Sequence, residues 1–445
     1  MSVYPASLPS APESRVAPRW RVIGCAAPRL PLETVFAHCG EPDSVFWAPP
    51  AGPAAVAWGV LERVSTAGRE RMPDLKQAGA ALLAEVDASA ISAQPAPRLW
   101  GGLAFAPGAA DADCWSGFGD ANFILPRCTY WQDGEAAWLQ VIVPVASAHA
   151  EAELASELAR LASLATLPAP RPPQGVSAEI LPPDPAAWHR QIAAILSAIS
   201  AGRARKVVSA HASEVRFEHA PQAAAVLCAL AAEGTSVWRY AMARGGATLL
   251  GATPERLVRL EGLAVTSEAL AGTLAKSAGT AADLLASIKD RREHELVCQG
   301  VREALGPFCA RLEVPATPQI RELCRLYHLA TPVSGRLATP RHVMDLVYDL
   351  HPTPATGGTP RDVAFEIIAT TETTPRGWYA APVGWFDADG NGEFVVALRS
   401  GLIRDKRAWV FAGAGIVAGS QAEAELAETE LKQRVMLNAL GASLD

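Results

Sequence analysis

Alternating and clustered apolar positions predict short strands and two helices in the first third of the chain. Turn residues separate the apolar runs, and Ala/Leu-rich stretches without glycine or proline favour helix. No pattern of chemically active side chains is visible here, so we expect a scaffold. The predicted strands are 44–48, 54–58, 100–105 and 138–143, and the predicted helices are 73–86 and 150–164.

The rest of the chain alternates strands with longer helices. Asp184-Pro185 predicts the start of a helix, because aspartate caps the free N–H groups and proline suits the first helical position. Pro254 predicts a tight turn that fixes the orientation of Glu255, and Asn391-Gly392 predicts a hairpin turn. The predicted elements are a helix 185–201, a strand from Lys206, two strands around the turn 253–255, a helix 283–306, strands flanking residues 391–392, and a helix 422–440.

A run of small residues, 413–420, precedes the last predicted helix. Glycine lets the backbone approach a ligand and offer its N–H groups to an anion. On the helix, Glu425, Glu428 and Lys432 are spaced to share one face. An anion nest beside carboxylates and a lysine predicts a site for a metal-bound carboxylate. The alternative is an exposed helix with ordinary charge pairs.

A second carboxylate pair, Asp290 and Glu293, lies one turn apart on the predicted helix 283–306. Two helices that each present such a pair could hold a hard divalent cation between them. Interleaved arginines also fit a solvated helix face, and that interpretation is sufficient if this helix is considered alone.

Composition narrows the class of protein. The chain has 445 residues, half of them apolar, and a formal net charge of −7 without a Lys/Arg-rich run, which argues against nucleic acid or an anionic membrane as a partner. Its eight scattered cysteines lack zinc spacing, and no apolar run approaches a membrane span. We expect a cytoplasmic protein with a disordered segment at residues 1–18 and a Pro-rich linker at 168–173.

Eight motifs in a fixed order give the sequence its family resemblance. The chain resembles the chorismate-utilising enzymes, a group that includes isochorismate synthase, salicylate synthase and the large subunits of anthranilate and aminodeoxychorismate synthases. The resemblance covers about residues 185–440. The motifs are Gly-Ala-Thr-Pro-Glu (251–255), Ala-Gly-Thr (271–273), Lys-Asp-Arg-Arg-Glu-His-Glu (289–295), His-Leu-Ala-Thr (328–331), Leu-His-Pro-Thr-Pro-Ala-Thr-Gly-Gly (350–358), Arg-Gly-Trp-Tyr-Ala-Ala-Pro-Val-Gly (376–384), Val-Ala-Leu-Arg-Ser (396–400) and Gly-Ala-Gly-Ile-Val (413–417).

The resemblance implies an α/β (α+β) fold in which antiparallel sheets form a sandwich with helices outside. It argues against a domain boundary at the linker, so a scaffold part, 19–165, and a chorismate-binding catalytic region, 185–445, should form one compact unit. It also implies Mg²⁺ as the cofactor. The metal ligands that it implies are Glu293 and Glu428 directly, with Asp290 and Glu425 as water-mediated or supporting partners.

The same resemblance implies how chorismate, a dianion, is bound by a protein that is itself acidic. Mg²⁺, the backbone at Gly413 and Gly415, and Lys432 would hold the ring carboxylate. Tyr379 and Arg399 would hold the enolpyruvyl carboxylate, since arginine offers a planar two-pronged contact. The remaining residues placed at the substrate are Gly272, Thr273 and Ala330.

The resemblance also assigns proton transfer. Lys206 would activate water as general base, and Glu255 would protonate the leaving hydroxyl as general acid. Lys206 must then be neutral part of the time, and Glu255 must hold a proton near neutral pH, which an apolar or carboxylate-rich setting favours.

Within the family, Lys206 and Ala330 favour water as the nucleophile and isochorismate as the product, because ammonia-using members typically lack this lysine. A salicylate synthase, which goes on to eliminate pyruvate, and a non-catalytic chorismate-binding relative are the alternatives. His211 departs from the arginine that relatives usually carry at the end of the lysine strand. We expect a monomer or a homodimer.

Overall fold

The computed structural model describes residues 17–39, 42–91 and 93–442. The strands are β1 (Trp20–Ala26), β2 (Ser44–Ala48), β3 (Ala54–Thr66), β4 (Val86–Asp87), β5 (Leu99–Leu103), β6 (Ala121–Asp133), β7 (Ala136–Pro144), β8 (Ala178–Leu181), β9 (Lys206–Phe217), β10 (Trp238–Arg244), β11 (Ala247–Thr253), β12 (Arg256–Glu261), β13 (Ala264–Ala275), β14 (Cys309–Glu313), β15 (Gln319–Glu322), β16 (Leu326–Leu337), β17 (Gly358–Thr359), β18 (Pro382–Phe386), β19 (Gly392–Val396), β20 (Ser400–Arg404) and β21 (Arg407–Ile416). The α-helices are α1 (Leu32–Cys39), α2 (Arg71–Ala84), α3 (Ala150–Leu164), α4 (Pro185–Ser200), α5 (Ala223–Leu230), α6 (Ala281–Ala286), α7 (Ile288–Leu305), α8 (Val343–Leu350), α9 (Arg361–Thr371) and α10 (Ala422–Ala439).

The strands form a continuous network that divides into two layers at β6. Residues 128–133 of β6 pair with β7, whereas residues 121–124 pair with β5. The first layer runs in the order β4-β1-β7-β6-β3-β2-β10-β11-β20-β21-β9-β8, and the second in the order β6-β5-β18-β19-β12-β13-β16, with β14 and β15 both on β16. Apart from the short parallel pair β1–β4, these pairings are antiparallel.

A tryptophan-rich core fills the space between the two layers. Trp47 of the first layer lies 6.0 Å, between ring centroids, from Trp100 of the second layer. Trp100 also contacts Trp131 and Trp385, with centroids 5.9 and 6.1 Å apart. Large aromatic rings that interlock in this way bury much apolar area and hold the layers together. The helices pack on the outside, so the predicted fold of antiparallel sheets in a sandwich with outer helices is confirmed.

Strands from the predicted scaffold pair directly with strands of the predicted catalytic region. β2 pairs with β10 and β5 pairs with β18. The exact bounds 19–165 and 185–445 stay predictions, and residues 1–16 of the predicted lead-in 1–18 lie outside the described residues. None of the helices in the described part of the chain has the length and apolar character that crossing a membrane requires.

Two local predictions were wrong in detail. The predicted helix 283–306 is divided into α6 and α7 by Ser287, whose hydroxyl caps α7 by accepting from the N–H of Asp290 at 3.2 Å. In the hairpin between β18 and β19 the residue with positive φ, 76°, is Gly390. Gly392 is already a residue of β19 and pairs with Phe386 of β18, so the turn does not lie at Asn391-Gly392. Glycine suits that position since it adopts left-handed φ without strain.

Two connections between the layers create a cleft. The turn that joins β11 of the first layer to β12 of the second carries Glu255, and the segment that returns from β19 to β20 carries Arg399. Glu255 and Arg399 therefore both lie at the junction of the two layers. The helices α7 and α10 border the same region from outside, against β13 and β21 respectively.

Candidate active site

Most of the predicted site residues line one cleft. A larger cavity of about 450 Å³, between α7 and residues 349–361, contains none of them in its lining. The cleft therefore is the candidate site on chemical grounds. The predicted residues in its lining are Glu255, Gly272, Thr273, Glu293, Tyr379, Arg399, Gly413, Gly415, Glu428 and Lys432.

Lys206 lies beneath this lining at the start of β9. Its side chain is fully buried, and its Nζ donates to Oε1 of Glu293 at 2.9 Å. A Cβ on Gly415 would lie 2.6 Å from that glutamate oxygen and 2.8 Å from Cε of Lys206. Only glycine leaves room here for the lysine and the glutamate to meet, so the requirement at Gly415 is space rather than an unusual φ.

Glu255 is the most perturbed carboxyl of the cleft. Burial and then the nearby Glu268 raise its pKa to about 8, although Lys206 and Arg399 act in the opposite direction. Its backbone is fixed, because its N–H donates to Oγ1 of Thr253 at 3.3 Å and its carbonyl accepts from the N–H of Val396 at 3.1 Å. Glu255 is thus a buried acid that holds a proton near neutral pH, as a general acid must.

Arg399 projects from the other crossing and adopts a left-handed φ of 49°. One of its Nη2 hydrogens is directed to Nε2 of His328 at 3.2 Å, and its Nε is buried without a partner among the described residues. Nδ1 of His328 lies 3.3 Å from the carbonyl oxygen of Gly272. A carbonyl only accepts, so Nδ1 carries the hydrogen and Nε2 accepts from Arg399. The unused donors of Arg399 are suited to a carboxylate ligand.

Tyr379 completes this side of the cleft. Its ring stacks on Phe411 with centroids 5.2 Å apart, and burial raises the pKa of its hydroxyl to about 12. A Cβ on Gly413 would lie 3.4 Å from that hydroxyl. Tyr379 therefore stays a neutral hydrogen-bond donor at any physiological pH.

The predicted anion nest at 413–420 was wrong in form, because β21 continues to Ile416 and Gly413 and Gly415 are strand residues. Opposite them on β9, the N–H of Ala210 donates to Glu372 and the N–H of Val208 donates to the carbonyl of Gly357. The N–H groups of Ala210 and Val208 thus point away from β21. In an antiparallel ladder this makes both glycines non-hydrogen-bonded positions whose N–H groups face the open edge. The edge of a strand, not a helix N-terminus, offers these N–H groups to the cleft.

Side-chain bonds tie the last helix to the strands beneath it and to α4. Lys432 forms an ion pair with Glu428 at 2.6 Å and donates to the carbonyl of Gly413 at 2.8 Å. Burial alone would raise the pKa of Glu428, but Lys432, Lys289 and Arg399 bring it below its usual value. The other bonds run from His211 Nε2 to Thr429 Oγ1 at 2.7 Å, from Ser213 Oγ to Gln433 Oε1 at 2.9 Å and from Trp188 Nε1 to the Ala422 carbonyl at 2.8 Å.

The departure at His211 has a structural explanation. Burial lowers the pKa of this histidine to about 4, so its ring is neutral and can bond the Thr429 hydroxyl. Its ring also packs edge-on against Trp188, with centroids 5.1 Å apart. An arginine here would bring a charge into this contact.

Two of the predicted metal ligands, Glu293 and Glu428, line the cleft, and each of the four has a cationic or hydroxyl partner. Glu293 is paired with Lys206, Glu428 with Lys432, and Glu425 with Lys289 at 3.1 Å. Asp290 bonds the Ser287 hydroxyl, and burial followed by the charge of Glu293 raises its pKa. As the side chains stand, no three Asp, Glu, His or Cys groups in the described residues are gathered into a ready metal cage. Two carboxylates with water and substrate oxygens suffice for Mg²⁺, so this donor set fits the ion.

Three predicted residues, besides Lys206, lie outside the lining. Ala330 is buried on β16 opposite Leu270, which does line the cleft. Asp290 lies next to Gly272, since a Cβ added to Gly272 would be 3.1 Å from the Cβ of Asp290. Glu425 is buried beside Lys289. The roles assigned to these three, like those of the residues that line the cleft, stay predictions.

Sequence reasoning missed an ion pair that shapes the cleft floor. Arg376 is held by Glu372, with Nε to Oε2 at 2.8 Å, and donates to the carbonyls of Thr356 and Val208 at 2.7 and 2.8 Å. Glu372 in turn accepts from the N–H of Ala210 at 2.9 Å. The pair joins β9 to the segment after α8. Arg376 opens one of the eight motifs, and that was the available signal; Glu372 precedes the motif and had none.

Comparisons with known proteins point to one family. The model of a family described as chorismate binding enzymes matches residues 23–441. A curated relative, the salicylate biosynthesis isochorismate synthase of Pseudomonas aeruginosa, is 36% identical over 410 residues, which are 89% of this chain and 85% of the relative.

Solved structures of two enzymes are similar to this chain over most of its length. The menaquinone-specific isochorismate synthase MenF of Escherichia coli superposes with a TM-score of 0.78 at 28% identity, covering 96% of this chain and 95% of that one. The anthranilate synthase component I of Streptococcus pneumoniae has a TM-score of 0.71 at 21% identity, covering 87% of this chain and 93% of that one. The second likeness bears on the fold alone.

Proposed function

Because this chain belongs to the family of chorismate-binding enzymes, we propose that it converts chorismate to isochorismate. Water adds at C2 of the ring while the hydroxyl at C4 leaves. The observation that carries the proposal is that a buried acid with a pKa of about 8, Glu255, lines the cleft, and a buried amine, Lys206, lies beneath it against Glu293. The names of the relatives, two of them isochorismate synthases, support the same reaction.

Two proton transfers make the reaction balance. Lys206 accepts a proton from the attacking water as the new C–O bond forms at C2. The ring double bonds shift, the C4–O bond breaks, and Glu255 gives its proton to the departing hydroxyl, which leaves as water. Each positioned proton-transfer group contributes about 10²–10⁴-fold to such a rate.

Positive charge in the cleft binds the two carboxylates of chorismate. We assign Arg399 and Tyr379 to the enolpyruvyl carboxylate, because Arg399 has free donors and Tyr379 a neutral hydroxyl beside Gly413. The N–H groups at the open edge of β21 and Lys432 serve the ring carboxylate. Gly272 and Thr273 line the substrate's other side.

We further propose Mg²⁺ as the cofactor, held by Glu293 and Glu428, with Asp290 and Glu425 supporting through water. When bound, the ion would neutralise and orient the ring carboxylate. A cytoplasmic location and a monomeric or homodimeric state remain predictions from the sequence.

Product analysis tests the proposal directly. Purified protein is incubated with chorismate and Mg²⁺, and the products are separated by chromatography. Isochorismate alone is the expected result. Salicylate with pyruvate would favour the rival salicylate synthase, and unchanged chorismate would favour a non-catalytic relative.

The pH dependence of turnover should show when Glu255 loses its proton. A general acid works only while protonated, so the alkaline limb of kcat/KM should fall about tenfold per unit above pH 8, because the pKa of Glu255 is about 8. Glu255→Gln should reduce activity by at least about 100-fold at pH 7, where the wild-type carboxyl is protonated, and should lack this limb. A wild-type profile still flat at pH 9.5 would exclude Glu255 as the acid.

Substrate affinity should depend on Arg399. Arg399→Ala should raise KM by about 10- to 100-fold, because hydrogen bonds to a charged group contribute about 1.5–3 kcal/mol. Arg399→Lys should recover part of the loss, since the cation remains but the planar fork does not. The control is Arg407→Ala, which removes a 58% exposed arginine of β21. A wild-type KM in Arg399→Ala would place the enolpyruvyl carboxylate elsewhere.

A further inference from the structure

A second carboxylate lies behind the turn that carries Glu255. Glu268, on β13, is buried, and Nη2 of Arg321 on β15 donates to its Oε1. Nη1 of the same arginine is 3.5 Å from the carbonyl oxygen of Pro254, the residue before Glu255. Arg321 therefore links Glu268 to the backbone that holds Glu255.

The two carboxyls differ in what surrounds them. Burial raises the pKa of Glu268, but the guanidinium of Arg321, its direct partner, and Arg256 nearby favour its ionised form. The carboxyl of Glu255 has no hydrogen-bond partner among the described residues. The hydrogen bonds of Glu255 are made by its backbone N–H and carbonyl groups. A buried carboxylate without donors is costly. When two such groups compete for one proton, the one without cationic partners keeps it.

The charges that face Glu255 come from three directions. Lys206 on β9 and Arg399 on the β19–β20 crossing are cations that favour its ionisation, and Glu268 on β13 is the anion that opposes them. The reaction requires both cations, one as the base and one to bind substrate. Burial is the first reason that Glu255 keeps its proton, and the negative charge of Glu268 adds to it against these two cations.

We propose that Glu268 is a positioning residue that acts through Glu255. Fixed and kept ionised by Arg321, its negative charge holds on Glu255 the proton that passes to the leaving hydroxyl. Glu268 itself touches no reacting atom. This inference rests on the proposed function, because it assumes that Glu255 is the general acid.

The test is the pH profile of Glu268→Gln. This isosteric change removes the charge, so the pH at which kcat/KM falls should move down by about one unit; this predicts a loss of about tenfold at pH 8.5 and less than about threefold at pH 6. The double variant E268Q/R321Q removes both partners of the ion pair and should show the same shift without leaving the half-buried Arg321 unpaired. Glu261→Gln, at a 72% exposed position in the same β12–β13 hairpin, should leave the profile unchanged.

A second measurement separates this inference from the proposed function. Infrared difference spectra between wild type and Glu255→Gln report the protonated carboxyl of Glu255 directly as pH is raised. If Glu255 is already ionised at pH 6 in the wild type, the assignment of the general acid fails. If Glu255 is protonated at pH 7 but neither E268Q nor E268Q/R321Q shifts its titration or the pH profile, the role of Glu268 fails. A loss of activity equal at all pH values would also overturn it, as a merely structural effect.

Discussion

Replacing Lys206 by alanine should lower kcat for isochorismate formation by about 10³-fold while chorismate still binds. The amine is fully buried and has Glu293 as its ion-pair partner at 2.9 Å. Its removal therefore leaves a cavity and no amine at this point of the site. Loss of a general base costs about 10²–10⁴-fold. Product formation gives kcat, and calorimetry with chorismate gives the dissociation constant.

The matched control is Lys276→Ala, at a 29% exposed lysine directly after β13 that pairs with Glu322 outside the cleft. It should retain wild-type kcat. Because Lys206→Ala also leaves Glu293 without its partner, its melting temperature is measured alongside. A kcat within about tenfold of wild type would remove Lys206 from the role of base, and lost chorismate binding would show that it holds the substrate instead.

Glu293→Gln and Glu428→Gln should each weaken Mg²⁺ binding by more than about tenfold and reduce activity at a fixed Mg²⁺ concentration by about 10²-fold. A carboxamide keeps the size of the side chain but lacks the charge that a hard cation requires. Calorimetric titration with Mg²⁺ alone measures the first effect, and activity titration with Mg²⁺ the second.

Each helix supplies its own control for this experiment. Glu295 on α7 and Glu430 on α10 are exposed and lie two residues beyond the proposed ligands, so they face away from the cleft. Glu295→Gln and Glu430→Gln should leave the Mg²⁺ titrations unchanged. If Glu293→Gln and Glu428→Gln also titrate like the wild type, the two carboxylates are not ligands.

The fold was predictable wherever local pattern and family resemblance agreed. Apolar runs located β2 and β3, and the Asp184-Pro185 signal located the start of α4, where the aspartate caps two N–H groups. The order of the motifs implied the sandwich. The arrangement of strands could not be derived from pattern alone, because pairings such as β2–β10 join residues almost 200 positions apart.

The candidate site was predictable to the extent that its residues lie in motifs. Glu255, Glu293 and Arg399 stand in the family motifs, Glu428 was predicted from its spacing with Glu425 and Lys432, and all four line one cleft. The glycines of β21 were misassigned because a small-residue run favours a loop in isolation, whereas ten residues of ladder with β9 keep it extended. The partners Glu268, Arg321 and Glu372 had no signal, since their importance depends on which strands lie side by side.

The pairing of β2 with β10 and of β5 with β18 also limits how the molecule can be shortened. All the proposed site residues follow Lys206, yet a fragment that begins there would lose both partner strands and the ring of Trp100 between the layers. Its exposed strand edges and apolar face would invite association with other chains. None of the proposed site residues lies in the described part of the first third of the chain. Its strands instead cover the strand edges and the apolar face that the remainder would expose.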